Sequence, residues 1–173
     1  MTTSATTGNA LTVSVPAGTP FIDVRREFDA SVSALFEAHR DPEKIKQWLG
    51  PDGFEMKIEL YDFTTGGRYR YVHTCDGEEY RFNGVFHTVR ENELAVQTFE
   101  YEGFGDVVAI ETLTFDSLTE DRSRLTIHST YPSVESRDGM VQSGMEGGLS
   151  QGYIKLDALL RDGGVGAPSQ DED

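Results

Sequence analysis

The residues able to do chemistry are thinly spread, and the informative ones sit among aromatic neighbours. Tyr69, Tyr71, His73 and Cys75 alternate along one segment, with Arg68, Arg70 and Thr74 at the other parity. Side chains of a strand point alternately to opposite faces, so the aromatic set shares a face, expected to be the inner one. Tyr80, Phe82, Gly84 and Phe86 repeat the pattern in the next segment. A histidine among tyrosines has two readings: a polar group that orients a ligand in a pocket, or a hydrogen-bonded core residue. Further on, Val107, Ala109, Glu111, Leu113 and Phe115 share a parity that is apolar except for Glu111. Such a glutamate either lies near a strand end with its carboxylate in water, or is buried with a partner or a raised pKa. Trp48, beside Gly50-Pro51, either lines a cavity mouth or packs the short helix before it.

Other chemistries find little support. His39, His73, His87 and His128 are scattered, without His-x-x-x-His or paired-cysteine spacing, so no metal site is expected. Ser143-Gly144 and Gly147-Gly148 lack the lysine and the preceding strand of a phosphate loop. Asp76 works against a reactive thiolate at Cys75. The Gly-x-Ser-x-Gly of a serine nucleophile is read as absent, and no catalytic residue and no cofactor is expected.

The elements that must position these residues follow from period and punctuation. Phe21–Phe28 reads as a strand, and Ala30–Arg40 as a helix capped by Asp29. Pro42–Trp48 is a second short helix, with Asp41 as cap and proline at the first position. After Leu49-Gly50-Pro51-Asp52-Gly53 the period becomes two. Strands are expected at 54–63, 68–75, 78–89, 94–101, 107–115 and 124–131, with Asp76-Gly77 a hairpin turn. One long helix then spans Ser136–Arg161, with a stripe of Val141, Met145, Gly148/Leu149, Gly152, Leu156 and Leu159/Leu160. Its glycines Gly144, Gly147, Gly148 and Gly152 cost about 4 kcal/mol against alanine. They serve either close packing of helix on sheet or an internal space.

The fold class expected is α+β: a curved antiparallel sheet of about seven strands wrapped around a long C-terminal helix, the helix-grip arrangement. Residues 1–20 read as a flexible leader with a short extended piece at 11–15, 21–162 as the domain, and 163–173 as a disordered acidic tail.

The chain of 173 residues carries 30 acidic and 15 basic side chains, a net charge of −15. Such a surface disfavours charge-driven binding to nucleic acid or anionic membrane. One cysteine allows no internal disulfide and fits a reducing compartment. The start MTTSATTGNA has neither a basic nor an apolar signal region, so a cytoplasmic protein is expected.

Several stretches resemble a known superfamily. They are Asp41-Pro42, then Gln47-Trp48-Leu49-Gly50-Pro51-Asp52-Gly53-Phe54, Gly66-Gly67-Arg68-Tyr69-Arg70, Asp76-Gly77, Gly84-Val85-Phe86 and Glu111-Thr112-Leu113-Thr114-Phe115. Ser143-Gly144-Met145-Glu146 and Tyr153 with Leu156-Asp157-Ala158-Leu159-Leu160 complete the set. In order and spacing they resemble the START-like (SRPBCC, Bet v 1-like) superfamily, and within it the family of the activator of Hsp90 ATPase. Gln47 stands where that family often has a further tryptophan. The superfamily includes lipid and hormone carriers, cyclases and co-chaperone domains, so the resemblance implies fold more sharply than function. Three functions are implied. The first is binding of a small apolar or aromatic molecule in a cavity lined by Trp48, Tyr69, Tyr71, His73, Phe82, Glu111, Met145 and Leu149, in a monomer or homodimer. The second is a chaperone-partner domain linked to stress response. The third is a cyclase- or hydrolase-like enzyme using His73 and Glu111 as acid and base.

Overall fold

The computed structural model describes residues 9–164. Its strands are β1 (Thr12–Ser14), β2 (Phe21–Phe28), β3 (Glu55–Tyr61), β4 (Arg68–Cys75), β5 (Glu78–Arg90), β6 (Leu94–Tyr101), β7 (Val108–Thr119) and β8 (Arg122–Thr130). The helices are α1 (Val32–Arg40), α2 (Pro42–Trp48), α3 (Val134–Gln142) and α4 (Met145–Gly164). All strands form one antiparallel sheet in the order β1-β2-β8-β7-β6-β5-β4-β3. This is the α+β helix-grip fold expected from the sequence.

Four details differ from that expectation. The sheet has eight strands, because Thr12–Ser14 pairs with Asp23–Arg25 and adds an edge. Part of the segment read as a leader is therefore in the sheet. Residues 1–8 and 165–173, read above as leader and tail, lie outside the described residues. The cap of α1 is Ser31, whose hydroxyl accepts from the Ala34 amide at 3.1 Å. Asp29 is instead engaged by Asn9 and Arg122. The long C-terminal helix is two helices, because Gly144 adopts φ 90°, a left-handed conformation that ends α3 and re-aims the chain into α4. Finally, α4 runs to Gly164, into the segment read as tail.

The sheet curves because its inner face must be covered and only the helices can cover it. At one end α1 plugs the curve. Phe36 meets Phe63 and Phe115 with ring centroids 5.5 and 5.1 Å apart, and Phe63 meets Phe86 at 4.8 Å. Phe36, Phe86 and Phe115 are buried, each contributing roughly 1.5–3 kcal/mol. The helices α1 and α2 pack on each other and on α4, and α1 also reaches β7 and β8. The link from α4 to β2 runs through long side chains. Arg26 donates to both carboxylate oxygens of Asp157 at 2.8 and 2.7 Å, and Tyr153 meets Phe28 edge-on at 5.6 Å. No helix among the described residues is long and apolar enough to cross a membrane.

Candidate functional site

Strand parity correctly places the aromatic row. Tyr69, Tyr71 and His73 are buried on the inner face of β4. Their partners on β5 are Gly84, Phe82 and Tyr80. Gly84 is required: a Cβ there would stand 2.4 Å from the Tyr69 ring and 2.1 Å from the Thr98 carbonyl. Tyr71 stacks on Phe82 at 5.2 Å, and Phe82 meets Phe99 at 5.5 Å and Tyr101 at 5.2 Å. Phe82, Phe99 and Tyr101 are only half-buried, whereas Phe86, four residues along β5, is buried under the α1 plug. The concave face is thus closed at one end and keeps accessible aromatic surface at the other.

Glu111 lies on this face. Of its two sequence readings the structure favours the partnered one: Glu111 is half-buried within β7, opposite Gln97 on β6 and Ser129 on β8. Gln97 Nε2 donates to Glu111 Oε1 at 3.0 Å and Ser129 Oγ donates to Oε2 at 3.2 Å. Desolvation pushes the Glu111 pKa up, and these two donors partly oppose it. Tyr69, Tyr71, Tyr131 and Tyr153 are also raised, chiefly by burial, with the Glu111 charge a smaller cause for each and Tyr71 ahead of it for Tyr69. Sequence reading found Glu111 but not its row. The signal was present, since Gln97 breaks the apolar parity Ala95, Phe99, Tyr101 and Ser129 breaks Leu125, Ile127, Tyr131. Only the register puts the three polar residues side by side.

His73 and Trp48 stand elsewhere. The His73 ring lies under Gly50, where an added Cβ would meet its Cε1 at 2.7 Å. Burial holds its pKa down at about 4, and Nε2 is buried with no partner among the described residues. The intervening strands β5 and β6 separate His73 on β4 from Glu111 on β7, about 14 Å of sheet, so the structure does not assemble them as an acid–base pair. Trp48 is 2% exposed, donates Nε1–H to the Ala38 carbonyl at 3.0 Å and stacks on Tyr153 at 5.9 Å. Its role is packing between α2 and α4. Met145 and Leu149 are half-buried against the core from the first turns of α4.

The glycine face of α4 meets the turn after α2 rather than the sheet. A Cβ on Gly152 would stand 2.9 Å from the Trp48 carbonyl, and one on Gly148 3.3 Å from Pro51 Cγ. Lys155 Nζ donates to the Gly50 carbonyl at 2.8 Å, and the Asp52 amide to Gln151 Oε1 at 2.8 Å. Close packing is the explanation for these two glycines. The same stretch, Gly148-Leu149-Ser150-Gln151-Gly152, does have Gly-x-Ser-x-Gly spacing, contrary to the expectation that the motif is absent. It is continuous helix here, without the strand-to-helix turn that exposes a nucleophile, so it carries no hydrolase signal. Two surface depressions lie away from Glu111. One is lined by Asn9, Asp29, Asp157, Leu160 and Arg161; the other is on the convex face around Leu60, Arg70, Val85 and Glu102.

A sequence model of the family described as "Activator of Hsp90 ATPase homolog 1-like protein" matches residues 29–161. The chain belongs to that family. The match begins after β2 and ends within α4, so it takes in the aromatic row, Glu111 and both glycine contacts. A protein from Arthrobacter aurescens, solved in solution, superposes with TM-score 0.79 at 28% identity, covering 87% of this chain and 91% of that one. Protein Ms6760 from Mycobacterium smegmatis gives TM-score 0.77 at 27% identity, covering 88% and 99%. A Rhodobacter sphaeroides protein shares the fold at 22% identity, with TM-score 0.79 and coverage of 88% and 99%. No curated protein matches the chain. Family membership supports a ligand-binding domain and leaves the ligand to be argued from the site.

Proposed function

We propose that this family member binds a small apolar or aromatic molecule between the concave sheet and α4. The observation that carries the reading is the half-exposed aromatic surface of Phe82, Phe99 and Tyr101 on the face that also bears Glu111, with Phe99 diagonal to Glu111 across the β6–β7 pair. A domain that needed only stability would bury this surface, as it does around Phe86 and Phe115. In this reading Tyr71 and Phe82 form the wall, Met145 and Leu149 close it from α4, and Glu111 is the orienting polar group. His73 supports Tyr71 and Phe82 from behind, at ring distances of 5.0 and 5.5 Å. Trp48 and Tyr69 anchor the rim without contacting ligand.

The test is a fluorescence titration with the uncharged probe N-phenyl-1-naphthylamine. The native protein is expected to take it up saturably, and Leu149→Trp, which fills the space from the helix side, to lower uptake at least about tenfold with the fold intact. A flat titration of the native protein, or unchanged uptake by folded Leu149→Trp, overturns the reading. Unchanged uptake would place the probe elsewhere and direct attention to the chaperone-partner reading.

A further inference from the structure

Glu111 is an unusual residue to find on this face. It lies near the start of β7, flanked in register by Gln97 and Ser129, and each of its oxygens accepts one hydrogen bond from a neutral donor. Both donors orient the carboxyl without neutralising it. Among the described residues no lysine, arginine or histidine forms an ion pair with Glu111. Arg26, a buried cation that also faces inward, spends both terminal guanidinium nitrogens on Asp157, with Nη1 donating also to the Glu27 carbonyl, and lies over Phe28 at 4.7 Å.

A carboxylate drawn out of water without a counter-ion is costly, and the cost is relieved either by a proton, the direction in which the Glu111 pKa is pushed, or by a cation brought to it. A carboxylate has about four acceptor sites, and the two protein donors occupy only two of them. The surroundings suit a cation as well. Aromatic faces attract positive charge through their quadrupoles, and Phe99, diagonal to Glu111 across the β6–β7 pair, joins it to an aromatic wall that continues through Phe82 to Tyr71 and Tyr101. The net charge of −15 draws cations toward the molecule and repels anions.

Resting on the ligand-binding reading above, we propose that the ligand carries a protonated amine on an aromatic or apolar body, and that Glu111 receives the ammonium. The aromatic wall then holds the body and the Gln97–Glu111–Ser129 row fixes the charged end. A hydrogen bond between charged partners is roughly twice as strong as a neutral one, which sets the expected selectivity at about tenfold or more.

Three probes of one shape test this by calorimetric titration near neutral pH: 2-phenylethylamine, the uncharged 2-phenylethanol and the anionic phenylacetate. The native protein is expected to rank amine above alcohol by at least about tenfold and to reject the acid. Glu111→Gln keeps the shape of the side chain, and is expected to abolish the preference, bringing amine and alcohol to equal affinity. In the native protein, nuclear Overhauser contacts from the methylene beside the nitrogen to the Glu111 side chain give a reading that needs no variant. Equal binding of amine and alcohol by the native protein overturns the charge assignment while leaving the binding site standing. So does an amine preference that survives in folded Glu111→Gln, or a nitrogen end that contacts other residues. Failure of all three probes together with N-phenyl-1-naphthylamine overturns the ligand-binding reading and this one with it.

Discussion

Alanine at Gly152 and at Gly147 should have opposite effects, although both sit in α4 and both relieve the same helix-propensity penalty. At Gly147 an added Cβ meets nothing within 4 Å. Gly147→Ala should therefore gain up to about 1 kcal/mol. At Gly152 the added atom would stand 2.9 Å from the Trp48 carbonyl, 3.5 Å from the Gly50 amide nitrogen and 3.6 Å from the Gly50 carbonyl. All three are backbone atoms of a turn that cannot retreat freely. Lys155 and Gln151 hold it from α4, and the His73 ring lies directly beneath Gly50. Overpacking of this kind costs roughly 1–3 kcal/mol, which outweighs the propensity gain. Because propensity cancels between the two variants, their difference isolates the contact and should be about 1–3 kcal/mol. Urea unfolding measures it from the midpoint at constant slope, and a thermal melt should separate the pair by several degrees, at about 2–4 °C per kcal/mol. If Gly152→Ala and Gly147→Ala unfold within about 0.3 kcal/mol of each other, the packing account of the glycine face is wrong.

Two further outcomes follow from buried charge. Burial lowers the pKa of His39 and of His73 to about 4, from an ordinary 6.5, so the unfolded chain binds more protons between those values and stability should fall as pH drops through that window. Glu111 works with the opposite sign, because its raised pKa lets the folded chain take up a proton first; Glu111→Gln should steepen the acid loss. Urea midpoints compared at about pH 7 and pH 5 check both, and a flat profile in the native protein would refute neutral buried histidines. Asp157→Asn should cost about 3 kcal/mol in the same assay, because it leaves the 6%-exposed Arg26 side chain without its bidentate partner. Glu59→Gln, which loosens an ion pair with Arg70 on the convex face, should cost less than about 1 kcal/mol; equal costs would refute the burial argument.

Local information determined most of the fold. The period-two segments between Glu55 and Thr130 carry their own inward and outward faces, and Asp76-Gly77 turns with φ 52° and 81°, as a tight hairpin requires. Asp41 and Pro42 start α2 by capping chemistry that needs no tertiary contact. These features gave the order of the elements, and the family resemblance rested on particular stretches such as Gln47–Phe54 and Gly66–Arg70 falling in that order. What the sequence left open depended on partners distant along the chain. Glu111 had two readings until register set Gln97 and Ser129 on either side, residues 14 and 18 positions away. The stripe through Met145, Gly148 and Gly152 announced a packed helix face, but its partner is a turn about a hundred residues earlier, at Trp48–Pro51. Gly144 read as one more glycine of a continuous helix, because left-handed backbone is a choice made by the path between α3 and α4 and leaves no mark in periodicity. Periodicity states which side of an element is buried; only the assembled chain states what it is buried against.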